Sequence, residues 1–285
     1  MENWPTFLIG GAPRSGTYSI YEYLNLMNTV FMCPTKEPNY FAPSINDAKM
    51  LSNPIRDKNE YLKLFKNVKN EKEIGETSPT YLWDPKSPEF IHKTIPNAKI
   101  IFILRNPIER SFSHYLNGIG LGYETNSFID SMNLALNQKN DYSGRIAMAS
   151  FYSSGIEKYF KYFKKNQLKF FIFEEFFKNT ENGIQEILNF LEISENVPKM
   201  VNTIHNEFTL PRGKFSSKLI TNEKLRSFVK HYLPRNQAKN LRMLMTSKTK
   251  KPKISKEEKQ FAQKLFFDDI KKTEKLLNRK LSWIN

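Results

Sequence analysis

Two stretches of the chain carry the residue types and spacings that grip phosphate. The first is Gly10-Gly11-Ala12-Pro13-Arg14-Ser15-Gly16-Thr17. Gly11 and Gly16 stand at the spacing of the nucleotide loop G-x-x-x-x-G-K-[ST], whose backbone N–H groups cradle phosphate oxygens at a helix N-terminus. The lysine of that pattern is absent, because Thr17 and Tyr18 follow Gly16, and the positive charge comes earlier at Arg14. The second stretch is Arg105-Asn106-Pro107-Ile108-Glu109-Arg110-Ser111-Phe112-Ser113-His114-Tyr115. Arg105 closes an apolar run at the point where a nucleotide triphosphatase often carries a magnesium-holding Asp. The pair therefore suits a phosphorylated ligand without a bound divalent metal. Ser113 lies about two turns into the following helix, so Arg105 and Ser113 are placed to grip one phosphate from two sides. Taken singly, each stretch also reads as ordinary structure: a tight turn, a helix cap, a surface serine.

The elements that must hold these residues follow from hydrophobic periodicity. Thr6–Gly10, Val30–Cys33, Lys99–Leu104 and Leu168–Phe173 are short apolar runs that read as buried strands. Helical spacing marks Ser15–Met27, Tyr61–Phe65, Pro107–Leu116, Tyr152–Phe163, Asn182–Leu191, Asn222–Tyr232, Asn236–Met245 and Ser255–Leu277. Pro107 fits the first turn of its helix. Strands alternating with helices give an α/β fold with a central parallel sheet flanked by helices, in one domain over residues 1–285. Thr246–Ser255 is the segment whose composition most resists packing. Open α/β sheets bind ligands beyond the C-terminal ends of their strands, which is where Arg14 and Arg105 fall.

Composition narrows the class. The chain has 285 residues, 39% hydrophobic and 26% charged, enough to bury a core and unlike a disordered polyelectrolyte. Cys33 is the sole cysteine, so no internal disulfide forms, and four scattered histidines assemble no zinc cluster. The opening residues show no basic leader and no long apolar run, so a cytoplasmic protein without a membrane span is expected. His92, His205 and His231 have no evident acidic or nucleophilic partner, and His114, a lone histidine on a helix, reads as a packed or surface residue, which disfavours a Ser/His/Asp hydrolase. The net charge of +15 is uneven. Residues 1–200 hold 23 Lys/Arg against 22 Asp/Glu, while residues 201–285 hold 21 against 7. Such a region either meets an anionic partner or is a solvated lysine-rich surface.

The motifs PRSGTYS, Lys36–Phe41 (KEPNYF), Gly75–Tyr81 (GETSPTY) and Arg105–Tyr115 (RNPIERSFSHY), in that order, resemble the sulfotransferases that use 3′-phosphoadenosine 5′-phosphosulfate (PAPS). The likeness is to the bacterial and carbohydrate branch, including the heparan-sulfate enzymes. Phe173–Phe176, Arg212-Gly213-Lys214 and Leu276–Trp283 extend it over nearly the whole chain. The resemblance implies a P-loop-like strand–loop–helix in which Arg14, Ser15, Gly16, Thr17 and Tyr18 hold the 5′-phosphosulfate. It implies that Arg105, Ser113, Arg212, Gly213 and Lys214 hold the 3′-phosphate, with PAP as the product and no metal. Glu37 becomes the general base for the acceptor hydroxyl. Arg14 stands where the family usually has Lys, and acts by fixed charge because guanidinium keeps its proton. Lys36 holds the sulfuryl oxygens or an acidic acceptor, unless it is only a solvated lysine. Glu76 orients the acceptor or assists Glu37, and Ser78 and Tyr81 line the cleft, with core packing the other reading of Tyr81. Thr77 stands where glycan 3-O-sulfotransferases carry a lysine.

The implied reaction is in-line sulfuryl transfer to a hydroxyl, with a glycan or other hydroxyl-bearing small molecule as acceptor. The identity of the acceptor is assigned to loops such as Ser44–Asn59 and Gly118–Asn126. Two other classes compete. A small P-loop kinase lacks its Gly-Lys-Ser/Thr and its metal Asp. A basic nucleic-acid-binding protein would need stacking aromatics, whereas the Phe and Tyr residues here fall at core-like spacings. Nucleic acid is therefore not an expected partner.

Overall fold

Phe7–Gly11 is apolar throughout and fully buried, as a central strand covered on both faces must be. The computed structural model describes residues 2–45, 54–121, 123–137, 142–197, 209–211, 244, 246–248 and 252–284. In chain order the elements are β1 (Phe7–Gly11), α1 (Thr17–Leu24), β2 (Val30–Met32), α2 (Lys58–Lys63), β3 (Glu73–Thr77), α3 (Ser87–Thr94), β4 (Lys99–Leu104) and α4 (Pro107–Leu121). Then come α5 (Phe128–Asn137), α6 (Tyr142–Met148), α7 (Ser153–Tyr162), β5 (Leu168–Ile172), α8 (Phe173–Phe176), α9 (Thr180–Phe190), β6 (Thr209–Pro211), β7 (Thr246–Lys248) and α10 (Lys256–Leu277). Five strands pair in parallel in the order β2-β3-β1-β4-β5. This is the expected α/β architecture, and β4 has the expected bounds.

β3 was not expected. Its sequence, Glu-Ile-Gly-Glu-Thr, lacks the apolar run of a buried strand, yet Gly75, Glu76 and Thr77 are all buried. The sheet accepts it because Glu76 finds hydroxyl partners and because Gly75 leaves room for Phe7. A Cβ on Gly75 would sit 2.2 Å from the Phe7 ring. α3, α5 and α6 also lay outside the expected elements, and α4 runs on to Leu121, through the first part of the 118–126 segment expected to be a loop.

The chain clusters into two compact units. The first holds residues 1–110, 148–202 and 263–285, with the whole parallel sheet; the second holds 111–147 and 203–262. In the second unit Phe112, Tyr115 and Phe128 pack ring to ring. There β6 pairs antiparallel with β7, so the start of the segment expected to resist packing forms a strand. The helices expected at Asn222–Tyr232 and Asn236–Met245 lie essentially outside the described residues. Among the described residues, no helix is long and apolar enough to cross a membrane, and no group of three or more His, Cys, Asp or Glu could hold a metal ion.

Candidate active site

β1 delivers the glycine loop at the C-terminal edge of the sheet. Arg14 and Gly16 adopt positive φ, 65° and 81°, which turns the chain sharply into α1. Gly16 is required twice over, since a Cβ there would also meet the Phe177 ring at 2.3 Å. The loop is fastened from below by Arg110, a fully buried side chain whose Nε donates to Ser150 Oγ at 2.7 Å and whose Nη1 reaches the Pro13 carbonyl at 3.4 Å. Sequence reasoning missed Arg110, although its place in RNPIER, in the first turn of the helix that follows Arg105, is a legible signal.

Ser15 is fully buried, and its Oγ has no hydrogen-bond partner among the described residues. The same holds for Nε of Arg105, whose Nη1 donates to the Arg14 carbonyl at 3.2 Å. The Arg105 guanidinium lies over the Phe173 ring at 4.7 Å. Buried polar atoms without partners are rare and call for a ligand or an ion. Here a hydroxyl and a guanidinium nitrogen are left over at the glycine turn that leads into the N-terminus of α1, a donor set that fits an anion.

The strand end that bears Arg105 is braced by the C-terminal segment. Glu174 accepts from the Asn106 N–H at 2.9 Å and from Trp283 Nε1 at 3.4 Å. Tyr152 OH donates to the Arg105 carbonyl at 2.8 Å, and its ring meets Trp283 edge-on. Arg279 pairs with Glu175. The acidic pair after β5 thus anchors the C-terminal segment.

KEPNYF meets the glycine loop through Lys36. Its Nζ lies 3.5 Å from Glu37 Oε1 and 4.6 Å from the Tyr18 ring centroid. Burial lowers the Lys36 pKa, the neighbouring Glu37 carboxylate offsets part of that, and the Arg14 charge adds to the lowering. The Glu37 side chain is 37% exposed, so an incoming molecule can reach it. Its backbone is held at φ 57°, an unfavourable conformation for Glu, and Asn39 follows at φ 52°. Glu37 N–H donates to the Thr77 carbonyl at 2.9 Å, and Asn39 Nδ2 donates to the Glu37 carbonyl at 2.7 Å. Asn39 is fully buried; its carbonyl receives Arg56 Nη1 at 2.8 Å and its Oδ1 receives Thr80 Oγ1 at 2.6 Å.

Glu76, Ser78 and Tyr81 are also fully buried. They face one another and the core, not an open cleft. Glu76 Oε1 accepts from Ser78 Oγ at 2.5 Å, and Oε2 accepts from Tyr81 OH at 2.7 Å and Tyr61 OH at 3.1 Å. Burial pushes the Glu76 carboxyl up to about 7 against the pull of these three hydroxyls. Thr77 Oγ1 is buried without a partner among the described residues.

The structure therefore brings Arg14, Ser15, Gly16, Thr17, Tyr18, Lys36, Glu37 and Arg105 into the first unit, at the glycine loop and the strand ends beside it. Ser113 is buried on α4 in the second unit. Arg212, Gly213 and Lys214 lie outside the described residues.

A sulfotransferase domain family model matches residues 5–274. Human carbohydrate sulfotransferase 15 is 29% identical over 150 residues, covering 39% of this chain and 27% of that protein. The chain thus spans about a quarter of the length of that curated relative. Among solved structures, a sulfotransferase from Alicyclobacillus acidocaldarius superposes with a TM-score of 0.75 at 22% identity, covering 99% of this chain and all of the other. Mouse sulfotransferase SULT7A1 complexed with PAP superposes with a TM-score of 0.54 at 14% identity, covering 96% of this chain and 86% of that one. Both share the fold.

Proposed function

The chain belongs to the sulfotransferase domain family, and on that premise we propose that it moves a sulfuryl group from PAPS to a hydroxyl of a carbohydrate acceptor, with Glu37 as general base. One observation carries the reading: Lys36 lies 3.5 Å from Glu37 and over the Tyr18 ring, which sets an accessible carboxylate beside an anion-binding loop. A loop alone would bind; a carboxylate at its mouth can also take a proton.

PAPS supplies the sulfuryl group on a phosphate leaving group that is already a stable anion. Two residues that fit it, Ser15 and Arg105, each carry a buried polar atom without a partner among the described residues. Arg14, Ser15, Gly16, Thr17 and Tyr18 hold its 5′ end, and Arg105 holds the 3′-phosphate. Arg14 contributes fixed positive charge and no proton. Lys36 draws negative charge toward the mouth of the loop. Glu37 Oε takes the proton from the acceptor hydroxyl as that oxygen attacks in line. The carbohydrate class is supported by the relative named above and by the KEPNYF motif.

The test is incubation with radiolabelled PAPS and panels of glycans, lipids and small alcohols, each with and without chelator. Label is expected to move to a glycan at the same rate in both arms. Consumption of ATP with magnesium, and no transfer from PAPS, would overturn the reading in favour of a kinase.

A further inference from the structure

The buried carboxylate of Glu76 has no route to an acceptor, yet it is bonded into the segment that carries Glu37. Each hydroxyl on it has one proton and can therefore donate once. Ser78 and Tyr81 both donate to Glu76, at 2.5 Å and 2.7 Å. Their oxygens are then left to accept, and each accepts a backbone N–H from KEPNYF. Asn39 N–H donates to Ser78 Oγ at 3.1 Å, and Phe41 N–H donates to Tyr81 OH at 3.3 Å. An acceptor-only group in the core thus dictates the direction of two hydroxyls, and those hydroxyls fix the backbone two and four residues beyond Glu37. Asn39 passes the constraint on, through the bond from its Nδ2 to the Glu37 carbonyl.

We propose that Glu76 is a positioning residue, which through Ser78, Tyr81 and Asn39 holds the Glu37 backbone in its unfavourable left-handed conformation and so aims the Glu37 carboxylate. The inference rests on the reading of Glu37 as the base. It gives Glu76, Ser78 and Tyr81 a role without contact to the acceptor.

Tyr61 supplies an internal control. Its hydroxyl donates to the same carboxylate at 3.1 Å, but its oxygen takes no backbone N–H from KEPNYF. Its ring stacks on Tyr40 at 4.2 Å, a contact that phenylalanine keeps. Tyr61→Phe removes one hydroxyl from Glu76 and breaks no link to the Glu37 segment. Ser78→Ala removes a link outright. Glu76→Gln presents N–H donors where only acceptors stood, so one hydroxyl must turn its proton away from residue 76 and the fixed direction of the network is lost.

Ionisation of Glu76 bears on the same chain of bonds, since only the carboxylate accepts all three hydroxyls. The titratable groups facing it are Tyr61 on α2, Tyr81 in the turn after β3, Cys33 after β2, Tyr159 on α7 and Glu37 itself. The tyrosines and Cys33 are all pushed upward by burial and stay neutral at working pH. Glu76 is the buried member of this set whose charge changes near pH 7.

The experiment compares Ser78→Ala, Glu76→Gln, Tyr61→Phe and Glu37→Gln in the full chain. It reads amide hydrogen exchange over residues 37–41, kcat and KM with PAPS, PAP affinity by calorimetry, and kcat against pH. Ser78→Ala and Glu76→Gln are expected to speed exchange at Asn39 and Phe41 and to lower kcat about ten-fold or more, the size of effect that small misplacement produces. PAP affinity should hold. The acid limb of kcat near pH 7 should be lost or displaced in Glu76→Gln. Tyr61→Phe should leave exchange and kcat within about two-fold of the wild type. Equal effects of Ser78→Ala and Tyr61→Phe, or an unchanged acid limb in Glu76→Gln, would overturn the positioning role. If exchange follows the proposal while Glu37→Gln keeps nearly full turnover, the base reading fails and the backbone-holding role of Glu76 stands.

Discussion

Glu37 and Glu76 carry the same carboxyl group and differ because their surroundings differ. Glu37 is 37% exposed beside an ammonium, where a carboxylate can meet a substrate hydroxyl. Replacing it with Gln keeps the shape and removes the basic oxygen. Turnover should fall by about 10²–10⁴-fold, the usual contribution of a general base, while calorimetry shows PAP binding within a few-fold of the wild type. Turnover near the wild-type level with normal PAP affinity would remove Glu37 from the mechanism. Glu76 is fully buried, and its carboxyl is raised from 4.5 to about 7. Below about 4.5 it is protonated both folded and unfolded. Between there and about 7 the folded chain keeps a proton that the unfolded chain has lost, so its contribution to stability declines as pH rises through that window. Denaturant midpoints taken from pH 4.5 to 7.5 should show that decline, and Glu76→Gln should flatten it. A slope identical in both proteins would show that Glu76 titrates normally. The ionised form that best orients the hydroxyls is therefore also the form that costs stability.

Among the elements, the junction of β4 with α4 positions Arg105, the residue proposed to hold the 3′-phosphate. β4 is buried between β1 and β5, so its last residue leaves the sheet at a fixed point. Arg105 is held there by its bond to the Arg14 carbonyl, its stack on Phe173 and the Tyr152 hydroxyl on its own carbonyl. Asn106 caps the helix that follows, its Oδ1 accepting from Ile108 N–H at 3.0 Å. A charge held this rigidly loses little entropy on binding a phosphate. Arg105→Ala should weaken PAP binding by roughly ten-fold or more at any ionic strength, given about 1.5–3 kcal/mol for a charge-assisted hydrogen bond. It should weaken binding of the nucleotide lacking the 3′-phosphate far less. An unchanged preference between the two nucleotides, measured by calorimetry, would show that Arg105 does not contact that phosphate.

Over the whole molecule, charge is unevenly divided along the chain. Residues 201–285 hold 21 Lys/Arg against 7 Asp/Glu, while the glycine loop, Glu37 and Arg105 all lie in the nearly neutral first 200 residues. Exposed charges act at long range and are screened within about 8 Å at physiological salt. Neutralising Lys248, Lys250 and Lys251 together should leave PAP affinity nearly unchanged at about 150 mM salt and weaken it slightly at low salt. A large loss that persists at high salt would place one of these lysines in direct contact with the nucleotide.

The sequence by itself determined the α/β class, the four apolar strands and the order of the four motifs. These are local properties: a buried strand needs an apolar run, and a phosphate turn needs its glycines at fixed spacing. It also marked Arg14 and Arg105 by residue type and place, and Glu37 through the family resemblance of KEPNYF. Only the tertiary structure decided what those residues meet. β3 escaped notice because its burial depends on hydroxyls from Tyr61, Ser78 and Tyr81, and periodicity cannot register partners brought from another helix and a turn. Arg110 escaped because a buried arginine is recognisable only once the Pro13 carbonyl and Ser150 stand beside it. Glu37 and Glu76 are indistinguishable as letters, and folding separates them by exposing one carboxylate beside Lys36 and enclosing the other among hydroxyls, because solvation and hydrogen-bond direction exist only in three dimensions.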